Sequence, residues 1–218
     1  MFSLDDFHRT YDTDSTPVTL NGRTVTLFTP ASIDRFIDPD EVMHDFPLWT
    51  KIWEASGVLA SYLATLPPDP QKTMLEIGCG LGLAGIAAAM AGHQVTMTEL
   101  NSDALNFARA NAVANGFPEL SIERLDWNDP KLEGRFDYIV GSETVYKTDD
   151  IDGLEALFNR YLSPGGTIIL AEGVRRTGVV FWERMRHSYD VQARRQVLRS
   201  EEGDTHVVLF RLQQKSDH

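Results

Sequence analysis

The chain has 218 residues, 42% of them hydrophobic and 24% charged, the balance of a folded globular protein rather than a disordered one. Its net charge of -12 excludes a generic nucleic-acid binder, which needs a basic face. The single cysteine, Cys79, excludes a disulfide framework and a Cys-rich metal site.

In chain order, two β-prone runs at residues 18–29 flank Asn21-Gly22, the strongest short hairpin signal. Residues 30–50 are acidic and irregular, with Pro30, Pro39 and Pro47. Ile52, Ala55, Leu59 and Leu63 fall near one face of a helix over 52–66. Pro67, Pro68 and Pro70 stop it. From Thr73 the pattern changes to a strand over 73–77, a glycine loop over 78–82 and a small-residue helix over 84–91. A second strand over 94–98 closes on Glu99, followed by a helix over 102–115 with Gly116 as its C-cap. Strands over 120–125 and 136–140 follow. Ile151, Leu154, Leu157, Phe158, Tyr161 and Leu162 then recur at helical spacing. Ser163 to Gly166 read as a turn, 167–171 as a fifth strand and 179–187 as a helix. Runs over 191–198 and 206–212 close the chain as a hairpin around residues 201–204.

Strands alternating with helices imply a parallel sheet covered on both faces, and the closing pair adds an antiparallel edge. The expectation is one α/β domain, with residues 1–47 as a hairpin and acidic extension of a core over 48–212. The opening Met-Phe-Ser-Leu-Asp-Asp has neither the basic nor the apolar region of a secretory signal. The longest apolar stretch, residues 83–91, is far shorter than the ~20 residues of a membrane span. A soluble, cytoplasmic monomer without membrane or nucleic-acid partners is therefore expected.

A glycine-rich turn between a first strand and a helix is a nucleotide-type site, because glycines let the backbone approach a ligand and the helix N-terminus offers free N–H groups. Gly80, Gly82 and Gly85 even satisfy the dinucleotide pattern G-x-G-x-x-G. Three further features discriminate. Glu99, at the end of the second strand, is placed to accept both hydroxyls of a ribose, which suits NAD and any adenosine cofactor alike. Glu76, inside the first strand, would be repelled by a diphosphate but welcomed by a cationic cofactor, since a carboxylate at that depth needs a partner. After the third strand, Asp126 can accept from an adenine amino group and Trp127 offers a flat apolar wall.

Residues 75–83, Leu-Glu-Ile-Gly-Cys-Gly-Leu-Gly-Leu, resemble motif I of the class I, seven-strand S-adenosylmethionine-dependent methyltransferases. Residues 136–140 resemble their fourth strand, and Leu162 to Gly166 the turn before their fifth. Within that superfamily the chain is similar to the protein-lysine methyltransferases of methyltransferase family 16. The segment from Trp49 to Trp53, with the helix after it, resembles that family's entry segment. Glu143-Thr-Val-Tyr146 resembles its Asp/Glu-x-x-Tyr/Phe motif, with Glu in place of the commoner Asp. The resemblance implies a Rossmann-like, seven-stranded, mostly parallel sheet with helices on both faces and an antiparallel C-terminal strand, extended here by the N-terminal hairpin. It implies S-adenosyl-L-methionine as cofactor, held by Trp53, Glu76, Gly78, Cys79, Gly80, Gly82, Leu83, Glu99, Leu100, Asp126, Trp127 and Ser142. It also implies a protein acceptor, with Glu143 and Tyr146 around its lysine. The alternatives are a small-molecule N- or O-methyltransferase on the same fold, a nicotinamide dehydrogenase, and a cofactor-binding protein without catalysis.

Methyl transfer from a sulfonium is an in-line displacement that needs chiefly alignment. A lysine acceptor must first be neutral, which at pH 7 costs roughly 4.6 kcal/mol. A nearby sulfonium lowers the amine's pKa and a carboxylate raises it. Glu143 is therefore a docking and orienting acceptor, and Tyr146 orients the amine without fixing its proton. Trp53 offers a cation–π face to sulfonium or lysine. No histidine has metal-ligand spacing, so no metal is expected. Cys79 has no base beside it in sequence and reads as a small buried side chain. Seven arginines between Arg175 and Arg199 read as solvated faces, with a surface for an acidic acceptor as the sharper alternative.

Overall fold

The computed structural model describes residues 2–37, 46–200 and 203–215. Pro39 and the turn residues Glu201 and Glu202, named above, lie outside them. The chain begins with α1 (Leu4–Thr10), which sequence periodicity does not reveal. Ser3 caps it, its side chain accepting the Asp6 N–H. Asn21 and Gly22 then take φ of 50° and 78°, the pair of positive values that a two-residue hairpin turn requires. They join β1 (Thr13–Leu20) to β2 (Arg23–Pro30) in a two-stranded antiparallel sheet. A tight turn at 48–50 leads into α2 (Glu54–Leu63).

The alternating region follows as β3 (Thr73–Ile77), α3 (Leu83–Met90), β4 (Gln94–Glu99), α4 (Ser102–Ala114), β5 (Ser121–Arg124), β6 (Phe136–Ser142), α5 (Ile151–Tyr161), β7 (Leu162–Gly173), α6 (Arg176–Met185), β8 (Tyr189–Ser200) and β9 (Gly203–Gln214). Gly116, with φ of 88°, follows α4 in the left-handed conformation expected of its cap. The seven strands from β3 onward make one sheet in the order β5-β4-β3-β6-β7-β9-β8. All pairs are parallel except those of β9 with β7 and β8. The α/β, Rossmann-like, mostly parallel sheet and its antiparallel C-terminal strand are thus as expected.

Two expectations change in detail. The turn at Ser163 to Gly166 lies within the bounds of β7, where the register with β6 slips between Phe136↔Leu162 and Tyr138↔Thr167. Gly165, at φ 76°, lets the chain loop out there and rejoin the same strand. α6 starts at Arg176 rather than 179.

The core lies on both faces of the sheet. One layer holds Leu59 and Leu63 of α2, Ile86 of α3 and Leu105 and Ala108 of α4, with Val25 and Leu27 of the hairpin. The other packs Leu154 and Phe158 of α5 and Phe181 and Met185 of α6 against Leu75, Ile139 and Leu170. α1 sits outside the first layer, where Phe7 and Tyr11 meet Phe107 edge-on at 4.9 and 5.0 Å. The hairpin is also tied by hydrogen bonds. Fully buried Asn111 of α4 accepts the Phe28 N–H and donates to the carbonyls of Phe28 and Leu81, and Asn115 brackets Thr26 in the same way. Unpaired backbone groups of β2 are thereby satisfied by two amides one helical turn apart.

α3 lies so close to the sheet that its Gly85 has no room for a side chain. A Cβ there would meet Glu76 Oε2 and stand 2.5 and 2.7 Å from Cγ and Sδ of Met97. Gly85→Ala is therefore expected to destabilise by about 2 kcal/mol, lowering Tm by roughly 5 °C. A calorimetric Tm equal to the parent's would show that α3 is not so tightly seated.

Candidate active site

Four loops converge at the carboxyl edge of the parallel strands, where open α/β sheets bind ligands. After β3 the chain turns through Gly78, Gly80 and Gly82 at φ of 61°, 52° and 89°, a left-handed path that side chains resist. The Cys79 N–H reaches across to the Thr98 carbonyl at 2.9 Å and anchors the turn. Gly82 then caps α3, with Leu83 buried as the helix's first residue. Gly80 runs against Trp49, whose carbonyl oxygen would be 3.6 Å from a Cβ there. The entry segment thus walls the glycine loop through Trp49.

Glu99, at the end of β4, holds this loop together. Its Oε2 accepts the Gly80 N–H at 3.0 Å, and Oε1 accepts the N–H groups of Leu100 and Asn101 at 2.7 and 3.1 Å. Oε1 is thereby filled, while Oε2 keeps a lone pair for a further donor. Leu100 beside it is 48% exposed, an apolar side chain at the mouth of the site. After β5, Asp126 accepts the Asn128 N–H at 2.9 Å, which fixes the turn. Trp127 then lies over the loop, its Cζ2 3.5 Å from where a Gly78 Cβ would stand.

Other expected site residues are differently engaged. Glu76 is buried beneath α3, and its Oε2 has no hydrogen-bond partner. Burial pushes its carboxyl up to about 8 against the pull of the Gly85 N–H. Trp53 donates its indole N–H to the Leu48 carbonyl at 2.8 Å, and the cation over its ring is Lys51, at 4.7 Å. The Cys79 thiol is buried and its pKa is raised by desolvation, consistent with an unreactive filler of the loop.

Ser142 ends β6, and Glu143 follows in the left-handed conformation, φ 54°. For a residue with a side chain this costs on the order of 1–2 kcal/mol. Its surroundings hold it there. The Glu143 N–H donates to the Ala171 carbonyl at 2.9 Å, its Oε1 accepts the Gly173 N–H at 3.0 Å, and Arg175 forms an ion pair with its Oε2. Tyr146, three residues on, is 39% exposed, with Lys147 5.6 Å from its ring centre.

Two residues of this corner escape sequence reading. Glu172, buried at the end of β7, accepts from the backbone N–H and the hydroxyl of Thr144 and from the N–H of Val145. It thereby pins the segment that carries Glu143 and Tyr146. Burial, reinforced by the Glu143 charge, raises its carboxyl to about 8. The signal was a lone acidic residue closing an otherwise apolar strand. Arg175 is the second: it reads as one of seven solvated arginines, but it reaches back to Glu143.

The corner therefore combines a glycine turn, a strand-end carboxylate that braces it, and an acid and a tyrosine three residues apart. Comparison with known proteins agrees. The sequence model of the lysine methyltransferase family matches residues 42–187. A mouse relative, protein N-lysine methyltransferase METTL21A, is 33% identical over 133 residues, 57% of this chain and 60% of that protein. Its counterpart from Xenopus tropicalis is 29% identical over 76% of this chain and 79% of its own length. A Dictyostelium discoideum histidine protein methyltransferase 1 homolog is 32% identical over 59% of this chain and 44% of its own length. The matched stretch thus spans less than two thirds of two of these three relatives. Among solved structures, Pyrococcus horikoshii TYW2 in complex with MeSAdo superposes with a TM-score of 0.59 at 18% identity, over 93% of this chain and 72% of that one. That likeness is one of fold.

Proposed function

The chain belongs to the lysine methyltransferase family, and from that premise we propose that it uses S-adenosylmethionine to N-methylate a lysine side chain of a protein. The observation that carries the reading is the left-handed Glu143, whose strained backbone sets a carboxylate at the sheet edge within three residues of Tyr146. The cofactor supplies an activated methyl group and positive charge. The residues present suit it. Gly78, Gly80 and Gly82 leave backbone exposed for close approach, Glu99 Oε2 has a lone pair for a ribose hydroxyl, and Asp126 and Trp127 frame the place for an adenine. Glu143 attracts and aims the acceptor's ammonium. Once that ammonium has given a proton to water, the Tyr146 hydroxyl holds the neutral amine without supplying a charge that would keep it protonated. Alignment of the two partners then accounts for most of the rate. The lone, buried thiol of Cys79 suits a reducing, cytoplasmic setting, in which the chain acts as a monomer. No helix among the described residues is long and apolar enough to cross a membrane.

Two measurements test this. Titration calorimetry is expected to show S-adenosylmethionine binding, weakened by about 1–3 kcal/mol in Glu99→Ala, since that carboxylate both shapes the loop and receives the ligand. Tight NADH binding with none for S-adenosylmethionine overturns the cofactor assignment. Tritiated methyl transfer into cell extract is expected to label protein bands, with the mark on lysine by mass spectrometry. A mark on histidine, or label confined to small molecules, reassigns the acceptor.

A further inference from the structure

The two residues that hold the Glu143 carboxylate also open a groove. Gly173 and Arg175 line a cavity of about 310 Å³ whose other walls include Val179 and Trp182 of α6, Ala193 of β8 and Phe210 of β9. Arg175 is the only charged side chain lining it among the described residues. α6 buries Phe181 and Met185 but leaves Val179 55% and Trp182 37% exposed, and Val174 before it is 58% exposed. Several apolar side chains left open together mark an interaction surface.

Charge defines what lands there. Residues 1–171 carry 11 basic and 25 acidic side chains, whereas residues 172–218 carry 9 and 7. Cross-strand partners share a face of the sheet. The pairs Ala193↔Phe210 and Arg195↔Val208 therefore put exposed Arg195 on the groove's face, while Arg194 points to the other.

Resting on the reading of Glu143 and Tyr146 as the acceptor corner, we propose that this groove docks the segment of the substrate protein that flanks its lysine, and that this segment is acidic with one apolar anchor. The apolar side chain enters between Val179, Trp182 and Phe210. A carboxylate of the segment meets Arg195, and another draws Arg175 away from Glu143. The released Glu143 oxygen is then free for the substrate's ammonium, so one guanidinium couples docking to acceptor capture. An acidic segment is repelled by most of this molecule's surface and attracted at this edge, which favours the productive orientation.

The test uses two tryptophan-free acetylated peptides of about a dozen residues. Each carries one lysine and one leucine, in one flanked by glutamates and in the other by arginines. The acidic peptide is expected to change the protein's tryptophan emission, an effect lost in Trp182→Phe, and to bind about tenfold more tightly than the basic one. Arg195→Glu should weaken it by about fivefold or more, and Arg194→Glu by less than twofold. Equal affinity for the two peptides, equal losses in the two arginine variants, or no binding of either peptide at millimolar concentration overturns the proposal. Methyl transfer to the same peptides separates it from the reading it rests on. An acidic peptide that binds as expected but takes no label upholds the groove and counts against the acceptor corner. Equal labelling of both peptides removes the groove and leaves the methyltransferase.

Discussion

Glu143→Gln is expected to lower methyl transfer by about 10- to 100-fold while leaving S-adenosylmethionine affinity within about twofold. The substitution keeps the side chain's size and one carbonyl oxygen for the Gly173 N–H. It removes the charge that now pairs with Arg175 and that would attract the acceptor's ammonium. On the proposed reading this group touches acceptor rather than donor, so its loss is expected in turnover and acceptor KM and should spare the glycine loop. Tyr146→Phe retains the ring and removes one neutral hydrogen bond, a loss of about 1 kcal/mol or roughly fivefold. Cofactor affinity and single-turnover methylation, measured on the same variants, decide the matter. Weakened cofactor binding with normal turnover at saturation would place both residues on the donor side.

The features most legible in the sequence are those whose physics is local. Asn21-Gly22 announces its hairpin because few residues adopt two successive positive φ values. The glycine loop announces itself for the same reason, and Gly116 marks the end of α4. Features that depend on contacts distant in sequence were hidden. α1 is seven residues long and is held by Phe7 and Tyr11 against Phe107, a contact that no periodicity encodes. Asn111 and Asn115 look like ordinary polar residues of a helix until β2 is laid beside them.

The candidate site divides along the same line. Motif I and Glu143 to Tyr146 are contiguous, and a family resemblance carries them. Arg175 comes from the far side of β7 and is one of seven arginines that look alike in sequence. Glu76 stands in the motif, yet strand alternation sets it under α3, on the opposite face from Leu75 and Ile77. The third glycine of the dinucleotide-like pattern, Gly85, is there for that packing. The pattern therefore reports how closely helix and strand approach rather than which ligand binds.

Stability is expected to fall as pH rises from about 5 to 8, and two buried carboxyls are the cause. Glu76 and Glu172 are both buried, and both are raised from 4.5 to about 8 in the folded chain. Between those values the folded state keeps protons that the unfolded state has released, so raising the pH draws the equilibrium toward unfolding. Their contribution is complete below about 4.5 and is lost as pH passes through about 8. The interval sets an upper figure of about 5 kcal/mol for each group. The two differ in what surrounds them. Glu76 Oε2 has no hydrogen-bond partner, and desolvation with the nearby Glu99 charge outweighs the pull of the Gly85 N–H. Glu172 accepts three hydrogen bonds from Thr144 and Val145, which favour its ionised form, yet burial and the Glu143 charge still raise it as far as Glu76. Urea unfolding of the parent at successive pH values should therefore show a declining free energy. Glu76→Gln and Glu172→Gln should each remove a comparable part of that slope. Slopes in both variants equal to the parent's would mean that neither carboxyl holds its proton in the folded chain. Glu172 also pins the segment bearing Glu143 and Tyr146, so Glu172→Gln should lower turnover as well as change the slope. Glu76→Gln, buried beneath α3 on the donor side of the site, should change the slope while leaving the Glu143 corner intact.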